Sequence, residues 1–182
     1  MPDVTRLLQS ATAGNYQAAA ELLPVVYDEL RKLAAVRLEQ EQSGQTLQPT
    51  ALVHEAYLRL VGNQKFEGRG HFFAAAAEAM RRILINRARD RGRIKRGGDR
   101  RRIELNEVHS AFQTPDDELL ELDDALNGLA AVNPQCAELV KLRFFAGFTH
   151  EEAANLLALP RRSADRLWAF ARSWLYDALD RA

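Results

Sequence analysis

Apolar residues recur at three- and four-residue steps through most of the chain. Nowhere do they alternate with polar residues over the length of a strand, so the expected fold class is all-α. Val4, Leu7, Leu8 and Ala11 predict a short first helix ending near Gly14, and Ala18 to Leu23 predict a second. Pro24 suits the first position of a third, running to about Glu41 with Val26, Leu30, Leu33 and Leu38 inward. The segment "SGQTLQP" reads as a loop. Thr50 then caps a helix that runs to Gly62, with Val53, Ala56, Tyr57, Leu60 and Val61 on one face. The opposite side is oddly mixed: Leu52, His54, Glu55, Leu58 and Arg59. "GNQKFEGRG" is a glycine-rich connector, and a long helix follows from about His71 to Arg93, stopped at "KRGGDR".

Downstream, "RRRIELNEVHSAFQTPDDE" has weak periodicity and a proline, and reads as a linker. Leu119 to Ala131 predicts the next helix. Asn133-Pro134 starts another that runs through Phe144. Two small helical domains are therefore expected, 1–98 and 119–182, joined by a linker over 99–118.

The closing segment "THEEAANLLALPRRSADRLWAFARSWL" has the layout of two helices across a tight turn. Thr149 and Glu152 form a capping box. Ala153, Leu156 and Leu157 give the first helix an inner face, "ALP" makes the turn, and the second helix begins at Ser163 or just before it. Leu167, Phe170, Ala171 and Trp174 form its inner stripe. Arg161, Arg162, Ser163, Arg166 and Arg172 are then available to phosphates or base edges, as in a helix-turn-helix. The bland alternative is an αα-hairpin with a solvated charged face. Ala158 in place of a turn glycine and Asp165 on the second helix both speak for it.

The chain has no formal net charge, but its charges are blocked. Met80 to Arg102 carries eleven Lys or Arg against Asp90 and Asp99, a net of +9, and Ile103 to Asn127 carries eight acids and no base. Within the long helix, Phe72, Phe73, Ala76, Met80, Ile83 and Leu84 suit an apolar face. Arg81, Arg82, Asn86, Arg87, Arg89, Arg91, Arg93, Lys95 and Arg96 are left to meet a polyanion. A membrane-surface helix is the other reading of such a pattern, but it carries large apolar residues along its length, and here the middle is alanine-rich.

Catalytic chemistry is not in view. "HEAYL" has Leu58 where a metalloprotease needs its second His, and four scattered histidines with one cysteine supply no metal spacing, so no cofactor is expected. There is no phosphate-cradling glycine loop. Cys136 alone excludes an internal disulfide. No secretory pattern opens the sequence and no apolar run is long enough to span a bilayer, so a cytoplasmic, non-enzymatic protein is expected.

In their order, these motifs resemble bacterial sigma factors of the extracytoplasmic-function (ECF) type over nearly the whole chain. "LVHEAYLRL" is similar to the domain-two helix that docks on the β′ clamp of core RNA polymerase. "FFAAAAEAMRRILINRARDR" is similar to the helix that opens and reads the −10 element. "LVKLRFFAGFTHEEAANLLALPRRSADRLWAFARSWL" resembles domain four, which reads the −35 element and meets the β flap. The resemblance implies a polymerase-binding face of Leu52, Glu55, Leu58 and Arg59. It places −10 contacts at Phe72, Phe73, Arg81, Arg82, Asn86, Arg87, Arg89, Arg93, Lys95 and Arg96, with the loop "GNQKFEGRGH" reading a flipped base. The −35 contacts fall on Arg161, Arg162, Ser163, Arg166 and Arg172. Promoter DNA and core polymerase are the implied partners, and no membrane.

Two departures from the family pattern stand out. The tryptophan common in the −10 helix is replaced at about Ala75. Before the docking helix, members of the family carry an acidic cluster of the form Asp-Ala-Glu-Asp, whereas this chain has "LQPTA", and Glu55 is the only carboxylate from Leu47 to Lys65. Members without the cluster resemble a subgroup tied to Ser/Thr protein kinases. A phosphate on Thr50 would restore about −1.5 to −2 charges at a helix N-terminus. Against that stands the plain reading of Thr50 as a helix cap. The competing functional reading for the whole chain is a stand-alone helix-turn-helix regulator that binds DNA without polymerase.

Overall fold

The computed structural model describes residues 3–38, 49–60, 66–92 and 116–181. All regular structure among them is helical: α1 (Val4–Thr12), α2 (Tyr16–Leu38), α3 (Pro49–Leu60), α4 (Arg69–Gly92), α5 (Asp116–Val132), α6 (Pro134–Phe144), α7 (His150–Leu156) and α8 (Arg161–Asp180).

Local sequence explains most of the helix ends. Asp3 accepts the backbone N–H groups of Thr5 and Arg6 to start α1. Asn15 accepts those of Gln17 and Ala18 to start α2. Asn133 caps α6 by accepting from Cys136 N, with Pro134 as the first helical residue.

Pro24 does not divide two helices, as the sequence predicts; it lies inside α2. Leu22, Val26 and Leu30 are all buried, so one i, i+4 stripe runs past the proline. Pro24 itself is exposed, and its ring is on the side away from the core. Burial of the stripe outweighs the single backbone hydrogen bond the proline removes. Leu33 lies within α2, but its side chain is not among those described.

A second correction concerns Thr50. Helix α3 begins at Pro49, so Thr50 sits within the first turn and is not the cap. Pro49 takes the position where a missing N–H costs nothing.

Helix α4 organises the molecule. It packs against α1 and α3 on one side and against α5, α6 and α7 on the other. Being covered from several directions, it buries Phe72, Phe73, Ala76, Ala77, Met80, Ile83, Leu84, Ile85 and Ala88, far more than one amphipathic stripe. The alanines let neighbouring helices approach closely. Edge-to-face rings run in a chain from Phe66 through Phe72 and Phe73 to Phe148, with centroids 5.1, 5.4 and 5.2 Å apart. Residues 99–115 of the expected linker lie outside the described residues, and its last part, 116–118, is the first turn of α5. Asp116, Asp117 and Glu118 suit that turn because the helix dipole favours acids there.

Candidate nucleic-acid interface and docking face

Helices α7 and α8 form the expected helix-turn-helix. The capping box is complete: Thr149 Oγ1 accepts from Glu152 N at 3.2 Å, and Glu152 Oε2 accepts from Thr149 N at 2.8 Å. Ala158 turns the chain with φ of +52°, the left-handed conformation for which the expected glycine is suited. Leu159 N then donates back to Ala154 O at 2.9 Å. Arg161 follows Pro160 as the first residue of α8, whose N-terminus has no side-chain cap.

Arg161, Arg162, Arg166 and Arg172 are exposed and Ser163 is half-buried. Arg166 Nη2 is 3.5 Å from Ser163 Oγ. Asp165 has a structural role: its carboxylate meets His150 Nε2 at 2.9 Å and ties α8 to α7. Phe170, expected in the inner stripe, is exposed instead, because Ala171 and Leu175 take the buried positions next to it. The Arg143 guanidinium lies 3.7 Å over the Trp168 ring and fixes α6 under α8. The Cys136 Sγ–H donates to Leu167 O at 3.1 Å, and burial pushes its thiol up to about 11, leaving an unreactive core thiol.

The basic face of α4 differs more from expectation. Phe72 and Phe73 are core residues and are not available to DNA. Arg81 is also turned inward: its side chain is 12% exposed and ion-paired with Asp123 of α5 and Glu78 of its own helix. Arg87 pairs with Glu55 at 3.3 Å, Arg89 approaches Asp123 at 3.9 Å, and Arg91 pairs with Asp116 at 2.9 Å. Arg82 and Asn86 face outward, Arg82 leaning on Glu78 at 2.9 Å. Arg93, Lys95 and Arg96 lie outside the described residues. In the loop expected to read a flipped base, Phe66 is buried and 62–65 are likewise outside them.

Glu78 is the centre of this polar layer, with Arg81, Arg82 and Lys141 around it. Burial by itself would raise its pKa. Hydrogen bonding and positive charge from Arg81 and Lys141 win, and hold it down at about 2. Arg81 is shifted up: burial works against its charge, but Glu78 and Asp123 outweigh it. The sequence does not single out Lys141 or Glu78, and Asp123, which beside Asp124 reads as a solvated acid, is buried instead. One signal was present: Asp123 sits at i+4 from Leu119 and i−3 from Leu126, on the apolar stripe of α5.

On α3, the docking face keeps Leu58, 62% exposed, and the ion-paired Glu55 and Arg59, 2.9 Å apart. Leu52 is a correction: it is fully buried, packed in the core beside Val53 and Ala56. Glu55 is shared between Arg59 and Arg87, so the sole carboxylate of this face is already neutralised. The first turn of α3 contains no acid.

Among the described residues no group of acids, histidines and cysteines could hold a metal ion, and no helix is long and apolar enough to cross a membrane. The model of the ECF sigma factor family matches residues 1–181. No curated protein and no solved structure matches.

Proposed function

This chain belongs to the ECF sigma factor family, and from that membership we propose how its surfaces divide the work. The family is one of non-enzymatic factors that bind core RNA polymerase and direct transcription initiation at promoter DNA. Residues 119–182 serve as the −35-reading unit. The observation that carries this is the start of α8. Arg161 and Arg162 occupy its first turn, exposed and without a side-chain cap. Cations at a helix N-terminus oppose the dipole and cost the free chain stability. Bound to DNA, the same free N–H groups and two guanidinium groups converge on phosphate and base edges, so the local cost becomes binding energy. Ser163 and Arg166 extend that surface by one turn.

Residues 1–98 serve as the unit that docks on the β′ clamp and reads the −10 element. Leu58, Glu55 and Arg59 make the docking face, while Leu52 supports it from beneath. Arg82 and Asn86 are the outward −10 contacts of α4, with Arg93, Lys95 and Arg96 beyond its described end.

The docking face lacks free negative charge, and Thr50 lies where charge would help most. We infer that a Ser/Thr protein kinase activates the chain by phosphorylating Thr50. Phosphate there would meet the free N–H groups of the first turn of α3 and give the clamp an anionic partner.

Run-off transcription with core polymerase, with and without the chain, tests the assignment. Genomic fragments selected by the reconstituted complex serve as templates. A promoter-dependent transcript is expected, strengthened by the kinase or by Thr50→Glu and lost in Arg161→Ala/Arg162→Ala. Absence of any such transcript, with kinase or Thr50→Glu present, refutes it. Equal polymerase affinity of the wild type, its phosphorylated form and Thr50→Glu refutes the switch alone.

A further inference from the structure

We propose that Asp165 is a specificity-determining residue of α8: its carboxylate, set in place by His150, accepts from the N4 amino group of a cytosine in the major groove of the −35 element. The inference deepens the −35 assignment above and rests on it. An acid is out of place on this surface. Arg162, Asp165, Arg166 and Ala169 are all exposed and follow one another at three- and four-residue steps, while Ala164 and Ala171 face the core. The helix thus presents a carboxylate between two guanidinium groups on the side assigned to DNA. Ala169 extends that side with a side chain too short to hold the helix off a groove.

A loose carboxylate there would fold back onto an arginine one turn away, and both groups would be lost to base edges. Asp165 does not. Arg161 and Arg162 stand four and three residues before it, yet among the described residues its polar partner is His150 of α7, with Nε2 2.9 Å from Oδ1. The Asp165 side chain is still 55% exposed, so its second oxygen is open to a donor. The tie is itself held. His150 Nδ1 is buried with no hydrogen-bond partner among the described residues, so the ring carries its proton on Nε2 and donates it to Asp165. The same ring meets Trp168 edge to face with centroids 6.3 Å apart, and Trp168 packs against the Arg143 guanidinium of α6. His150 is therefore a positioning residue, and the carboxylate it holds is fixed relative to the helices beneath α8.

A fixed carboxylate selects one base. Cytosine presents the N4 donor, whereas thymine presents the O4 acceptor and guanine O6 and N7, all of which a carboxylate repels. Adenine joins its N6 donor to the N7 acceptor, which sets a lone pair against the second oxygen. Rejection of the wrong bases contributes alongside the contact to the right one.

The test uses the full chain on core polymerase, with promoter fragments randomised over the −35 element and sequenced after selection. The wild type is expected to favour cytosine at one base pair by about tenfold over the other bases. Asp165→Asn keeps an acceptor for His150 and gains an amide that matches adenine N6 and N7, so the preference at that base pair should move from cytosine to adenine. Asp165→Ala should flatten it to within about twofold while the other positions keep their bases. His150→Phe keeps a ring against Trp168 and removes the donor, and should flatten the same position. Helix content and melting temperature show which variants fold, and Asp165→Asn carries the test by itself if Asp165→Ala does not.

Weakening by the same factor at every position would mean that Asp165 only ties α8 to α7, and overturns the proposal. So does a set of preferences that both Asp165 variants leave unaltered. If the wild type selects no −35 bases, or Arg161→Ala/Arg162→Ala changes none of those it selects, the −35 assignment itself has failed, and the role of Asp165 falls with it.

Discussion

Replacing Glu78 by Gln probes the polar layer at the centre of the molecule. The Glu78 carboxylate faces Arg81 at 3.0 Å, Arg82 at 2.9 Å and Lys141 at 3.2 Å. Its folded pKa of about 2 lies below the ordinary 4.5. A depressed carboxylate stabilises the fold above its unfolded pKa, and that contribution disappears as pH falls through the folded value. The difference of about 2.5 units sets a ceiling of about 3 kcal/mol at neutral pH, at about 1.4 kcal/mol per unit. By about pH 3.5 the unfolded chain is mostly protonated at this position while the folded chain is not, and about 1.4 kcal/mol of the total is gone. Urea titrations of wild type and Glu78→Gln at neutral pH and at about pH 3.5 read both numbers. Glu78→Gln should be less stable by about 2 to 3 kcal/mol at neutral pH, with the gap narrowing by about 1.4 kcal/mol in acid. A gap of the same size at both pH values, or one below about 0.5 kcal/mol at neutral pH, would show that the network does not hold the carboxylate charged.

Three further outcomes follow from the geometry. Ala158→Gly removes the cost of a Cβ at φ of +52° and should raise stability by about 1 kcal/mol, read as a melting temperature higher by a few degrees. Leu52→Ala should cost about 2 to 5 kcal/mol in urea titration because it empties a core position, whereas Leu58→Ala should cost under about 0.5 kcal/mol and instead weaken binding to core polymerase. Arg161→Ala should leave stability unchanged or slightly higher, and should reduce the salt slope of promoter binding by about one unit in a filter or anisotropy titration.

The helix-turn-helix was legible in the sequence because its information is local. Thr149 and Glu152 are three residues apart, Ala158 and Pro160 sit within one turn, and the arginines follow at once. The departures on α4 have a different origin. A helix that touches one neighbour shows a single apolar face, and its other side can be read as available. Helix α4 touches five, so Phe72 and Phe73 are enclosed, and Arg81 points at a carboxylate contributed from 42 residues away. Nothing within a window of twenty residues carries that information. Leu52 is a different case: it stands four residues before Ala56 and eight before Leu60, at the edge of their stripe, and α3, set against α2 and α4, buries that edge while leaving Leu58 and Arg59 exposed.

Charge layout carries long-range information that apolar periodicity lacks. The +9 block from Met80 and the following −8 block suggest opposite partners in two different molecules, or one another. The structure pairs Arg81 and Arg89 with Asp123, and Arg91 with Asp116, so three bases of one block meet two acids of the other. Asp123 and Asp116 thus offset the charge on the side of α4 that faces α5, while Arg82 and Asn86 point away from it. Opposite charge blocks in one sequence therefore report a contact within the chain, and added salt should weaken its exposed pair, Arg91 with Asp116, before the enclosed pair of Arg81 with Asp123.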